Sequence, residues 1–343
     1  MSSYTKLTNI ISEEQKMKRL LGLILTVALL AGLVAGCSRT PVDNSGTNTP
    51  ETNNTETASW PRTYVDASGT EVVLEAKPQK IALLFFHHYE AVLALNAPLY
   101  AATDLEVHNG WESLKPYSEK TELIDLGGTR EPNLEKLVEI EPDLIIAASG
   151  VHDAIFDSLR KIAPTVVVSR MDNSFGTWQG TLREYGKILG EEALAEERIT
   201  DLEALITETR NTLSAHSDET VALIRPLEKE INYWMPDYLY NPEGGLGITG
   251  ALSKPDSVSA GAVTYYEGFA DVDPDYIFFY EDALNENDET IRKGLEENTL
   301  WRSLSAVKLG HVYILDRSAF SGGPLAMELG VKTILNAMAP VGE

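Results

Sequence analysis

The sequence predicts an α/β protein of two Rossmann-like lobes joined by a single helix, carried behind an export leader and a polar tether. Three observations predict it. Short continuous apolar runs alternate with helical periodicity from about residue 62 onward. Two stretches of the chain repeat one another in order. The amino-terminal segment has a charged start, an apolar middle and a small-residue end that stops at the sole cysteine.

The leader comes first. Lys18-Arg19 precede an apolar and small-residue run from Leu20 to Gly36 that closes in Leu33-Val34-Ala35-Gly36-Cys37. At about 17 residues the run sits at the lower limit for crossing a bilayer as a helix. Its small-residue end resembles a bacterial lipobox, in which the signal is cleaved before the cysteine and the cysteine is lipidated. Residues 1–36 are therefore expected to be a lipoprotein signal peptide, with Met17 as its start, and Cys37 the lipidation site. Residues 37–61 are rich in Thr, Asn, Ser, Pro and Glu. They bury too little apolar surface to offset the entropy of ordering and read as a flexible tether.

The two lobes follow. Candidate strands are Ile81–Phe86, Leu99–Thr103, Leu144–Ala148 and Thr165–Val168, then Val221–Ile224, Tyr276–Tyr280 and Val312–Leu315. Unbroken apolar runs of this kind fit strands covered on both faces, as in parallel sheets. The segment Leu134–Ile146 lies on Tyr266–Phe278 at an offset of 132, each reading as helix, acidic-Pro-Asp turn and strand. Gln79–Leu84 lies on Glu219–Ile224 at an offset of 140. Between the copies, Leu182, Tyr185, Ile188 and Leu189 keep helical spacing, as do Leu202, Leu205, Ile206, Thr209 and Leu213, with Gly190 between the two helices. The expected division is 62–176 for the N-terminal lobe, 177–190 for the linker helix and 191–343 for the C-terminal lobe.

Charge narrows the partners. The chain carries a net −24. Lys6, Lys16, Lys18 and Arg19 against Glu13 and Glu14 give the leader +2, so the rest carries −26. Such a field repels nucleic acid. It also disfavours an anionic ligand unless arginines reverse the sign within a cleft. One cysteine excludes an internal disulfide framework. A hydrolase is disfavoured, because the sequence has no Gly-x-Ser-x-Gly elbow, no His-Glu-x-x-His and no Cys/His pair beyond Cys37.

Four segments carry a family resemblance: Gly127-Gly128-Thr129-Arg130-Glu131-Pro132-Asn133-Leu134-Glu135 with Glu141-Pro142-Asp143-Leu144; Leu159 through Ala163-Pro164-Thr165; Leu300-Trp301 through His311-Val312-Tyr313; and Gly322-Gly323-Pro324-Leu325-Ala326. Together they resemble the iron-siderophore, haem and cobalamin family of periplasmic-type solute-binding proteins, over about residues 62–338. The resemblance implies the class III binding-protein fold and no catalysis or cofactor. It implies an Fe(III)-siderophore ligand in the cleft and delivery to an ABC permease dimer driven by a cytoplasmic ATPase. The expected receptor is a monomer held by Cys37 on the outer face of the cytoplasmic membrane. Asn96 stands where the family usually has glycine, and asparagine tolerates the left-handed conformation a helix end needs.

Candidate residues follow from strand ends, where α/β sheets hold ligands. Arg130 matches a family position that contacts hydroxamate chelates, and Arg225 follows the strand Val221–Ile224. A guanidinium suits hydroxamate or citrate-hydroxamate oxygens because it donates in a planar fork and stays charged. Arg170 and Arg317 fit surface roles better. His87 and His88 follow the first strand as cleft donors. Trp234 and Tyr238 are candidate aromatic walls. Glu135 and Glu267 are equivalent in the repeat, each in the first turn of its helix, and the resemblance implies that they dock on arginines of the permease. Two alternatives stay open. Haem or cobalamin could take Tyr233, Tyr238 or His88 as an axial ligand. Zn²⁺ or Mn²⁺ would draw on His87, His88 and His152, although no direct metal ligand is expected in the favoured reading.

Overall fold

The computed structural model describes residues 59–169, 176–251, 263–281 and 288–340. The leader, Cys37, the tether up to residue 58 and Arg170 lie outside them. A hairpin opens the described chain, with β1 (Arg62–Val65) antiparallel to β2 (Glu71–Leu74).

The first half is a five-stranded parallel sheet in the order β5-β4-β3-β8-β9, from β3 (Ile81–Leu83), β4 (Leu99–Ala102), β5 (Ile124–Asp125), β8 (Leu144–Ala148) and β9 (Thr165–Val168). The two-residue strands β6 (Gly127–Gly128) and β7 (Glu131–Pro132) form a separate tight hairpin. Alternate side chains bury opposite faces of the sheet. Ile81, Leu83, Leu144, Ile146, Val166 and Val168 join one core, while Ala82, Leu84, Ala101, Ile145 and Ala147 join another. Covering both faces is what makes the runs continuously apolar.

The second half has the order β13-β11-β10-β14-β15, with β12 (Thr249–Gly250) also paired to β10 (Thr220–Pro226). β14 (Tyr276–Glu281) and β15 (Val312–Asp316) run parallel to β10, whereas β11 (Glu230–Tyr233) and β13 (Val263–Tyr265) add an antiparallel edge that the sequence reading missed.

The internal repeat holds down to single hydrogen bonds. Helices α2 (Leu134–Ile140) and α7 (Tyr266–Val272) both end on an acidic residue in the left-handed region, Glu141 at φ 46° and Asp273 at φ 41°. The aspartate two residues later then caps the start of the first strand of its half. Asp143 accepts from the backbone N–H groups of Gln79 and Lys80 at 2.7 and 2.9 Å. Asp275 accepts from the N–H and hydroxyl of Thr220 at 2.7 and 2.9 Å. The proline between them keeps the turn from continuing as helix.

The expected linker helix packs mainly in the first half. Helix α4 (Trp178–Leu189) starts on Thr177, whose side chain accepts from the Gly180 N–H, and stops at Gly190 with φ 70°. Its Leu182, Tyr185, Ile188 and Leu189 all belong to the first half's core. The next helix, α5 (Glu192–Leu213), spans both along its length: Ala195 and Ile199 pack in the first half, Leu202, Ile206 and Leu213 in the second, while α4 reaches the second core through Trp178 at its start. Twenty-two residues make a rod of about 33 Å, long enough to serve two cores. A second tie runs from α1 (Tyr89–Ala94) to the start of α8 (Pro324–Met338). There the buried Glu90 carboxylate accepts from the Ala326 N–H at 2.9 Å and the Ser321 hydroxyl at 2.7 Å. A Cβ on Gly323 would come within 2.1 Å of that carboxylate, so the turn ahead of α8 requires glycine.

Candidate functional site

The carboxyl ends of the first sheet's strands open into two adjoining cavities of 380 and 350 Å³, which share Phe85 and His87. The smaller is lined by Phe86, Asp104, Thr129, Arg130 and Val151. The larger runs past Trp178 and Thr177 to Ser321, Gly322 and Gly323 of the second half, so residues of both halves wall it. Arg130 is exposed at the tip of the β6–β7 hairpin and forms no hydrogen bond or ion pair among the described residues. His87 is exposed between the cavities, its ring 3.9 Å from that of Phe86.

The second half contributes a polar row on one face of its sheet. Asn232, Arg225 and Tyr280 sit side by side on β11, β10 and β14, at the carboxyl ends of β10 and β14. The Arg225 guanidinium lies 5.4 Å from the Tyr280 ring centre and donates from Nη1 to the Tyr280 hydroxyl at 3.2 Å. The Trp234 ring meets Tyr280 edge-on at 6.0 Å. Arg225 Nε and Asn232 Oδ1 are buried without a partner among the described residues. An orphaned donor and acceptor on neighbouring strands are costly unless a ligand or water completes them.

Other predicted residues are placed differently. His88 is buried, its Nδ1 2.8 Å from the Tyr185 hydroxyl, and burial together with the nearby His87 lowers its pKa to about 3. It is a neutral group that also lines the larger cavity, with Nδ1 held by Tyr185. Tyr238 is a core residue, not an aromatic wall. Its hydroxyl donates to the Ala319 carbonyl at 3.0 Å, and burial pushes its pKa far up. Tyr233 packs on Phe269 in the core on the other face of the sheet. Of the three candidate haem ligands Tyr233 and Tyr238 are thus interior groups, whereas His88 reaches the larger cavity. Both His152 nitrogens are engaged, Nδ1 with the Ala148 N–H at 2.9 Å and Nε2 with the Thr129 carbonyl at 2.7 Å. Among the described residues no three His, Cys, Asp or Glu side chains group to hold a metal ion. Arg317 is exposed on the turn after β15.

Glu135 and Glu267 are both exposed in the first turns of α2 and α7, and neither is hydrogen-bonded or ion-paired among the described residues. Sequence reasoning missed Asn232 and Tyr280. Tyr280 was within reach, because it ends the predicted strand Tyr276–Tyr280 as Arg225 follows Val221–Ile224.

Two α/β halves, bridged by a helix and meeting at their strand ends, define a bilobal solute-binding protein. Residues 90–319 match the periplasmic binding protein family, and the chain belongs to it. It is similar to YhfQ of Bacillus subtilis, 27% identical over 316 residues that cover 89% of this chain and 93% of that one. It is also similar to the Fe(3+)-citrate-binding protein YfmC of the same organism, 26% identical over 91% of this chain and 95% of that one. Its fold is shared with the solved siderophore-binding protein BauB bound to a complex of two acinetobactin molecules and ferric iron. The TM-score is 0.62 at 21% identity, over 82% of this chain and 100% of that one. The iron-uptake system-binding protein FeuA of Bacillus subtilis also shares the fold, with a TM-score of 0.63 at 22% identity, over 81% and 100%.

Proposed function

We propose that this protein is the extracytoplasmic receptor for a ferric siderophore of the hydroxamate or citrate-hydroxamate class, anchored through a lipid on Cys37. In this reading it works as a monomer and passes its ligand to an ABC permease powered by a cytoplasmic ATPase. The observation that carries the reading is a guanidinium at the strand ends of each half, Arg130 on the first and Arg225 on the second, in a chain whose overall charge is strongly negative. Iron(III) chelates of this class present a shell of anionic or partly negative oxygens. A planar fork of N–H donors matches that shell, and the low-dielectric walls of Phe85, Phe86 and Trp178 strengthen the attraction. The relative named for binding Fe(3+)-citrate supports an iron(III) chelate as the ligand.

The test is intrinsic tryptophan fluorescence, since Trp178 lines the larger cavity and Trp234 adjoins Tyr280. The protein is titrated with ferric desferrioxamine, ferric citrate, a ferric tris-catecholate, haem, cobalamin and Zn²⁺. Saturable quenching by a ferric hydroxamate or citrate chelate, and not by its iron-free form, is expected. Tight binding of haem or Zn²⁺ with no response to any ferric chelate would overturn the ligand assignment.

A further inference from the structure

We propose that His152 is a positioning residue for the cleft arginine, acting on Arg130 through the Thr129–Arg130 peptide. The inference rests on the reading of Arg130 as a chelate-binding group.

Thr129 and Arg130 form the two-residue turn between β6 and β7, where Gly127 pairs with Pro132 and Gly128 with Glu131. A two-residue turn on two-residue strands has little order of its own. Side chains from elsewhere hold this one by every polar atom of Thr129. Asp104, following β4, accepts from the Thr129 N–H at 3.0 Å and from its hydroxyl. Thr103 Oγ1 lies 3.0 Å from that hydroxyl. The Thr129 carbonyl accepts from His152 Nε2 at 2.7 Å.

The tautomer follows from the second nitrogen. His152 Nδ1 accepts from the Ala148 N–H, so in the neutral ring the proton sits on Nε2, where the Thr129 carbonyl receives it. The ring is 1% exposed, and burial lowers its pKa, which keeps it neutral. The carbonyl of Thr129 and the nitrogen of Arg130 share one planar peptide unit. Fixing the carbonyl direction therefore fixes where the Arg130 Cα sits and from what point its side chain leaves the backbone toward the cavity it lines. Pre-organisation of this kind lowers the ordering cost of binding.

A histidine that merely fills space would tolerate any polar isostere. A positioning histidine would not, because glutamine carries its amide N–H near the place of Nε2, whereas asparagine reaches only the place of Nδ1. His152→Gln is expected to keep chelate affinity and His152→Asn to weaken it roughly threefold to tenfold, the worth of one hydrogen bond. In an Arg130→Ala background His152→Asn is expected to cost nothing further. Equal losses with and without Arg130, or identical behaviour of Asn and Gln, would overturn the proposal while leaving the receptor reading intact. Absence of any chelate binding by the unaltered protein would instead strike that reading. Hydrogen exchange of the 127–132 backbone then decides the positioning role without ligand: His152→Asn should speed it and His152→Gln should not, and unchanged exchange in His152→Asn overturns the role.

Discussion

Glu90 is buried in an otherwise apolar helix, and four donors surround its carboxylate with no ion pair among the described residues: the Ser113 and Ser321 hydroxyls and the Leu325 and Ala326 N–H groups. Burial raises its pKa from the ordinary 4.5 to about 7, against the opposing pull of those hydrogen bonds. Between these two values the unfolded chain has released this proton and the folded chain has kept it. The stability contributed by Glu90 therefore falls as pH rises from 4.5 to about 7, by about 1.4 kcal/mol per pH unit at full slope. Glu90→Gln should remove that slope, because its amide oxygen can serve the Ala326 N–H while the serines turn to accept from its nitrogen. Thermal unfolding of both proteins at pH 5 and pH 7 checks this, and parallel losses in the two would refute it. At this scale the sequence was legible only where function follows from a strand end. Arg130 and Arg225 could be placed because apolar runs show where strands stop. Tyr238 could not, since in a one-turn helix a single step decides between cleft and core. Glu90 was opaque because its partners Ser321 and Ala326 lie 231 and 236 residues away.

Among the elements, α2 and α7 form an equivalent pair, each presenting an exposed glutamate in its first turn. A carboxylate there is favoured by the helix dipole, which alone accounts for about 0.3–1 kcal/mol. Equivalent exposed carboxylates on the two halves also suit a two-subunit partner with one basic site on each subunit. The expected outcome for Glu135→Ala with Glu267→Ala is loss of chelate uptake by cells of at least roughly tenfold, the cost of two interfacial charge pairs. Chelate affinity and melting temperature should stay unchanged. Normal uptake by the double variant would remove the docking role. The repeat that carries this pairing was readable because its turn is built locally, from an acidic residue, a proline and an aspartate. The antiparallel edge of β11 and β13 was not readable. Glu230-Ile231-Asn232-Tyr233 is short, and only the neighbouring β10 makes it a strand. How the bridge is shared between α4 and α5 is not readable for a related reason. Periodicity shows that a helix has an apolar face but not which core receives it, and α5 changes cores between Ile199 and Leu202.

For the whole molecule, the parallel strands of both sheets followed from composition and pattern, because strands buried on both faces leave a continuous apolar trace. The cleft's chemistry followed less directly, since its walls come from segments far apart in the chain. The account comes down to two guanidiniums, one on each half, meeting the oxygens of one ferric chelate. The direct measurement is the affinity of the unaltered protein, Arg130→Ala and Arg225→Ala for the ferric chelate that quenches its fluorescence. Hydrogen bonds to a charged group are worth about 1.5–3 kcal/mol, so each variant should bind roughly tenfold to a hundredfold more weakly with its melting temperature preserved. Affinity unchanged in both variants would show that the chelate does not sit between these two arginines and would contradict the account.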